Sequence, residues 1–435
     1  MKNYKMLVAI FLVFLSIVSV YQLFNENIST INKYNDYLKK ARYCASVGIV
    51  DAYTYYDEAL KINKSVDVYV EYVKFCIDQC EYYMAEETAE EMAKVFPGKS
   101  ESYDLLMEIY DDNSDYVNLF KTYDKAQKKK IFSETINKLY QKNEYRYFSN
   151  GRSYQNVKDE SNGYYAVCDG KGYWGYTNSV GSIKVGCQYS YAGAFSNQIA
   201  PVKNQDNELY YINEEGGKKF VFDVDEKYDY LGQIVDDVYV VGNNGKYAYY
   251  NTSFKKLFGD YDYAGAFSCG TAAVKTGNEW YLINRGGQAI SQKYDYILLN
   301  DNDIACIDNC VIAVRDNIYY ILDEKGNEVK KTNYKQIAMP TSDKYIACSN
   351  GNKWGFCDRK GELVIDFEYD MAKSFSNGLA AVCKDSKWGY INLDNKVVID
   401  YTFTAAGNYN SSGCTYVSED NESWYMIKLY KYNHD

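Results

Sequence analysis

Three patterns of apolar and polar residues follow one another along the chain. The first is an unbroken apolar run, "MLVAIFLVFLSIVSVYQLF" at residues 6–24, 19 residues without a charge. A helix of that length rises roughly 28 Å, close to the hydrocarbon thickness of a bilayer. From Asn27 to Tyr145 the period changes. Apolar residues recur at i, i+3 and i+4, as in "YVEYVKFCIDQCEYYMAEETAEEMAKVF", which predicts amphipathic helices. Pro97-Gly98 and the stretch Asp111 to Asp115 interrupt them, and such short breaks predict antiparallel neighbours. Beyond residue 145 the chain turns to short alternating runs rich in β-branched and aromatic residues, bounded by turn residues: "WGFCD", "RKG", "ELVID", "SNG", "LAAVC". These predict strands of about five residues.

The third region repeats. "KWGFCDRKG" at 353–361 returns as "KWGYINLDN" at 387–395, and the same register recurs at Trp174, Leu209, Tyr247, Trp280, Tyr319, Trp354, Trp388 and Trp424, 33 to 39 residues apart. A second register of tyrosines runs once per module through Tyr189, Tyr228, Tyr261, Tyr294, Tyr334, Tyr369 and Tyr401. A module of short strands exposes its edges and faces alone, so it must stack on neighbours. Trp174, Trp280, Trp354, Trp388 and Trp424, with the seven tyrosines, are therefore expected to be structural anchors rather than a site. The Gly of the triplet becomes Tyr210, Ala248, Tyr281, Tyr320 and Tyr425 in other modules. That variation predicts a position with no general need for close backbone approach. "NGYYAVC" at 162–168 starts the array in mid-module, and "WYMIKL" at 424–429 ends it on an unpaired strand. Complementary half-modules predict a closed ring with both ends in one blade.

The pattern K-W-G-[YF]-x-[DN]-x-x-G, then Y-D-x-A, then F-S-x-G-x-A-x-V, resembles the WG (KWG) repeat of bacterial proteins over roughly residues 162–430. The resemblance implies a β-propeller-like fold and no established enzymatic activity. The helical stretches "AYTYYDEALKINKS" (52–65) and "AEETAEEMAKVFPGKS" (85–100) resemble tetratricopeptide repeats, with Ala52, Tyr56, Ala59 and Leu60 on the packing face. The expected fold class is α+β multidomain: a transmembrane anchor or signal sequence at 1–25, a helical-repeat domain at 26–145, and an all-β propeller-like array of 7 to 8 small blades at 146–435.

Charge and chemistry narrow the function. A net charge of −11 argues against nucleic acid, which needs a basic face; the one dense basic run, Lys125 and Lys128 to Lys130, is expected to be a solvated helix face. Lys2 and Lys5 precede the apolar run, which predicts an inside N-terminus and an extracytoplasmic bulk. Twelve scattered Cys and a single His supply neither a disulfide scaffold nor a CxxC metal site. The Cys are expected to be small buried hydrophobes. "DDNSD" at 111–115 starts like a calcium loop, but Tyr116 and Thr122 stand where such a loop needs Gly and Glu; an inter-helix turn is expected. His434 is expected in a disordered end. No catalytic motif is present, so no enzyme, cofactor or metal is expected. The expected protein is a single-pass membrane-anchored binding or scaffold protein, held through residues 6–24, whose partner is protein or cell-envelope glycan. The alternative is a carbohydrate-active propeller using an Asp/Glu pair among the 59 carboxylates. Functional residues are expected where modules differ, at 384–386 or in "LLNDNDIACIDNC" at 298–310.

Overall fold

The computed structural model describes residues 2–220 and 228–433. The chain divides into two compact units, one ending at Arg146 and one running from Tyr147 to Tyr432.

In the first unit the described residues form seven helices: α1 (Lys2–Ser46), α2 (Asp51–Ile62), α3 (Val66–Asp78), α4 (Tyr82–Val95), α5 (Ser100–Asp112), α6 (Tyr116–Lys128) and α7 (Glu134–Asn143). Residue 25 is not an element boundary, because α1 continues unbroken from the apolar run into the packed unit. Its apolar side chains from Phe11 to Phe24 are exposed, and burial begins only at Leu38, Ala41 and Cys44. This helix is long and apolar enough to cross a membrane. Helix α2 buries Ala52, Tyr56, Ala59 and Leu60, the four positions its spacing assigns to the packing face. The Asp-rich stretch closes α5 and starts α6, where Asp115 accepts the Asn118 backbone N–H at 3.1 Å as an N-cap. Asp111 is taken up by Lys142 at 2.7 Å and Asn143 at 2.8 Å.

The second unit is a ring of eight small antiparallel sheets among the described residues. Blades 1 to 8 cover 156–189, 191–220, 230–261, 263–294, 296–331, 336–369, 371–403 and 405–429. Each opens on a two-residue strand and continues through longer hairpin-connected ones. Blade 4 has a three-stranded sheet, its fourth position held by isolated bridges from Trp280 to Tyr294 and Ile283 to Ala289. Eight blades settle the expected seven or eight. The ring closes through the strand Tyr147–Tyr154, which pairs antiparallel with Trp424–Leu429 in blade 8. Residues 162–168, expected to be the free half-module, instead lie inside blade 1.

The cores lie between blades, where the face of one sheet meets the next. Between blades 1 and 2, Tyr176, Val185 and Tyr189 pack against Ala192, Phe195 and Val202. Across the closure, Tyr154, Tyr165 and Val167 pack against Cys414, Tyr416 and Met426. The ring is sewn there by Asn410, which donates to Tyr165 Oη at 3.1 Å and to the Ser179 carbonyl at 2.8 Å.

The triplet glycine needs correcting. Each Trp opens the third strand of its own blade, so the sequence module straddles two blades. The fourth strand bulges opposite the following residue, for example between the pairs Trp354 to Tyr369 and Phe356 to Ile365. A Cβ on Gly355 would lie 2.4 Å from the Ile365 carbonyl oxygen; on Gly175 and Gly389 the equivalent distances are 2.5 and 2.6 Å. Close backbone approach is therefore what these three glycines permit. In the module with Ala248 the glycine has moved across the pair: Gly259 faces it at φ +120°, and a Cβ there would meet Ala248 Cα at 2.7 Å.

Candidate functional site

The anchors occupy packed positions. Trp280 is buried, as are Tyr189, Tyr294 and Tyr369; Trp174, Trp354, Trp388 and Trp424, with Tyr228, Tyr261, Tyr334 and Tyr401, are half-buried. Trp pairs with Tyr across the bulge at 174/189 and 354/369, but Trp388 pairs with the buried Phe403 rather than Tyr401. The aromatic faces are covered: Tyr263 and Tyr296 flank the Trp280 ring at 5.2 and 5.3 Å, and the Lys158 ammonium sits 5.1 Å from the Trp174 centroid.

Two residues after Trp lies a position that sequence reasoning missed. At four copies it is a buried tyrosine whose hydroxyl donates to a backbone carbonyl of the next blade: Tyr176 to Gly193 at 2.8 Å, Tyr211 to Gly232 at 2.6 Å, Tyr249 to Gly265 at 2.8 Å and Tyr390 to Gly407 at 2.9 Å. Each glycine directly follows the two-residue opening strand. Where the tyrosine is replaced by Leu282, Ile321, Phe356 or Met426, the residue after the next opening strand carries a side chain: Leu298, Ala338, Lys373 and, round the closure, Lys158. A signal for the inner rim therefore existed in the sequence, as a pairing of two positions rather than a motif at one.

Of these residues Lys158, Lys373 and Gly407 line the open part of the channel. Over blades 2 to 4 the space is filled by a strap. Blades 1 to 4 and 7 join their first and second strands with six residues; blade 5 uses twelve, 298–309. This is the irregular stretch singled out above. It crosses the channel, held by an Asn300 side-chain turn that accepts the N–H groups of Asn302 and Ile304. The Asp303 carboxylate accepts hydroxyls from Tyr230, at 2.6 Å, and Tyr263, and its carbonyl accepts the Ala266 N–H at 2.8 Å. Gln233 donates to the Asn302 carbonyl at 3.0 Å, and Asn302 reaches the Asp159 carbonyl of blade 1 at 3.4 Å. A Cβ on Gly265 would lie 2.7 Å from Asp303 O, so the bare rim is what admits the strap.

Toward blades 1, 6, 7 and 8 the channel stays open as a cavity of about 340 Å3 whose lining includes Lys158, Asp159, Glu160, Asp301, Lys373 and Asn408. Both charge signs meet there, with Lys158, Glu160 and Lys373 half-buried and Asp159 and Asp301 exposed. Burial pushes the Asp159 carboxyl up, the Asp301 charge adds to this, and Lys373 opposes it. Burial likewise raises Glu160 and lowers Lys158, against the pull of Asp303 and Asp301. Lys158 also donates to the Ala192 carbonyl at 2.9 Å. The arrangement offers carboxylates, ammonium groups and amides to a polar ligand. Among the described residues no group of three His, Cys, Asp or Glu is placed to hold a metal. The other segment expected to matter, 384–386, is an outer hairpin turn, with the Asp385 N–H on Asp370 at 2.8 Å. His434 lies outside the described residues. In the helical unit, Lys125 and Lys128 to Lys130 are exposed, with Lys125 and Lys129 on the rim of a cleft of about 370 Å3 beside Tyr103 and Tyr110.

The second unit is thus a closed eight-bladed β-propeller with a half-filled channel, an architecture for binding or scaffolding. Its repeats match the WG containing repeat at residues 174–207, 248–280, 354–388 and 388–422; the chain carries WG repeats. No curated protein matches the sequence. Among solved structures it is similar to BamB from Moraxella catarrhalis, at 12% identity and a TM-score of 0.38 over 65% of this chain and 98% of that one. It is similar to a eukaryotic initiation factor at 14% and 0.42, over 64% and 85%. A catalytically inactive virginiamycin B lyase from Staphylococcus aureus with quinupristin gives 12% and 0.34, over 66% and 99%. The eight-blade topology stands on its own strand pairing.

Proposed function

We propose that the chain is a membrane-tethered extracytoplasmic binding protein whose propeller channel holds a polar segment of a cell-envelope glycan. Helix α1 serves as an uncleaved anchor, and α2 to α7 form a tetratricopeptide-like spacer. The observation that carries this reading is the open half of the channel, with Asp159, Glu160, Asp301, Lys158 and Lys373 in one cavity of about 340 Å3. A cavity of that size encloses a sugar-sized group, whereas a protein partner would use a larger and flatter surface. The anchor fits the same picture: from Phe24 to the first buried side chain, Leu38, the exposed helix rises about 20 Å at 1.5 Å per residue, enough to clear the headgroups.

The test is a glycan array and an envelope pull-down with the chain from residue 26 onward. Binding that is lost in Lys373→Ala and Asp301→Asn supports the reading; binding indifferent to both refutes it. A second reading has an observation in its favour. Asp159, raised by burial and by the Asp301 charge, shares the cavity with that second carboxylate, and a pair of carboxyl groups flanking the scissile bond is what hydrolysis of a glycosidic bond requires. Release of reducing ends from envelope glycan, abolished by Asp159→Asn, would favour the enzyme over the binding protein.

A further inference from the structure

The turns that open each second strand also tie the blades together. In blades 1, 2 and 7 a turn residue with positive φ reaches the backbone of the next blade through its side chain. Asn162 donates to the Phe195 carbonyl at 2.8 Å, Asn197 to Ile234 at 3.4 Å and Asn377 to Asn410 at 2.8 Å. In blade 4 this position is Cys269, φ +52°, and the residue it meets in blade 5 is also a cysteine. The Cys269 thiol donates to the Cys306 carbonyl at 3.7 Å, and the neighbouring Cys269 side chain adds to burial in raising the Cys306 thiol. Cys269 is exposed and Cys306 buried. Cys306 lies in the strap that fills the channel, three residues beyond Asp303.

We propose that Cys269 and Cys306 form a disulfide that pins the channel strap of blade 5 to blade 4. The bond does covalently what Asn162, Asn197 and Asn377 do by hydrogen bonding. It rests on the extracytoplasmic reading above for its formation in the cell, since disulfides persist in oxidising compartments. The chemistry is exchange with a protein or low-molecular-weight disulfide. The exposed Cys269, as thiolate, attacks one sulfur of the oxidant and expels a thiolate; Cys306, deprotonated, then attacks Cys269 Sγ of the mixed disulfide and expels the second. Two protein thiols become one disulfide, and the oxidant's disulfide becomes two thiols carrying the two protons. Burial pushes the Cys306 thiol up, so the second step is the slow one.

The full chain is isolated from membranes with free thiols blocked at lysis, digested without reductant and mapped by mass spectrometry; a second sample is reduced, then incubated with oxidised glutathione. The expected result in the glutathione sample is a 269–306 cross-linked peptide, two hydrogens lighter than its parts, cleaved by reductant and lost in C269S, while C348S leaves it in place. Both thiols still alkylatable, or Cys269 trapped as the glutathione adduct, overturns the proposal. The cross-link in the membrane sample supports the site and the compartment together. A cross-link with glutathione but reduced thiols from membranes leaves the site standing and overturns the extracytoplasmic placement.

Discussion

Replacing Gly355 by Ala tests whether the WG triplet is packing. The added Cβ would lie 2.4 Å from Ile365 O and 2.7 Å from Asp366 O, against ordinary contacts beyond 3.4 Å. Both neighbours are backbone atoms of the bulged strand, so relief requires that strand to retreat by about 1 Å or its pairing to open. Forced overpacking costs roughly 1–3 kcal/mol, and backbone neighbours that cannot swing aside put this case at the upper end. Restricting the unfolded chain gives back about 0.4–1 kcal/mol, which leaves a net loss of about 2 kcal/mol. All five tryptophans lie in the propeller, so intrinsic fluorescence during urea unfolding of the purified chain reports this unit. With a urea slope of about 3 kcal/mol/M for a unit of this size, the midpoint should fall by about 0.7 M with the slope unchanged. Gly186→Ala is the control, since a Cβ there meets nothing within 4 Å; it should stay within about 0.5 kcal/mol of the parent. Equal midpoints for the two variants would refute the close-approach account and leave the triplet glycine without a physical role.

Three further outcomes follow from the geometry. Tyr390→Phe and Tyr176→Phe should each lose about 1 kcal/mol in the same urea experiment, whereas Phe356→Tyr should bring no gain, because the residue after the next opening strand is Lys373 rather than glycine. For Asp159 the folded protein binds the proton more tightly than the unfolded chain, because burial raises its carboxyl. Stability from this group is therefore highest below the ordinary aspartate value and declines as pH rises through the raised one; Asp159→Asn should flatten that decline and raise the urea midpoint at neutral pH, measured from about pH 4 to 7. Protease added to intact cells should cleave the chain beyond residue 25, and a chain lacking residues 1–25 should fractionate away from membranes; protection of the full chain would reverse the proposed orientation.

What the sequence disclosed depended on whether its signal was repeated or relational. Trp174, Trp354 and Trp388 recur with their glycines, so the period and an array of seven or eight blades could be read from one-dimensional spacing. The closing strand Tyr147–Tyr154 could not. Its residues "YFSNGRSY" are mostly exposed, with only Tyr154 buried, and as an outer strand it carries neither the Trp nor the apolar alternation of a core strand. The triplet glycine follows a related logic. Comparing one aligned column, Gly355 against Ala248, suggests tolerance, whereas the constraint belongs to a facing pair and is met at Ala248 by Gly259 on the other strand.

The channel shows the same principle at larger scale. Lys158, Asp159, Asp301 and Lys373 come from three blades, and of the four only Lys158 and Lys373 share a repeat column; they meet only because the ring closes. The residue after each opening strand follows this division only in part, since Gly407, paired with Tyr390, lines the open cavity. Glycine at 193, 232 and 265 leaves the rim bare, and there the strap docks. Lysine at 158 and 373 projects a charge instead, and there the cavity remains. Function in such an array is thus written in departures from the repeat: where Met426 and Phe356 stand in place of the tyrosine, Lys158 and Lys373 line the channel. Exchanging Lys373 for Gly together with Phe356 for Tyr should restore the staple and its stability while removing the cavity's ammonium. A double variant that is as stable as the parent but no longer binds would separate what the repeat does for the fold from what its exceptions do for the ligand.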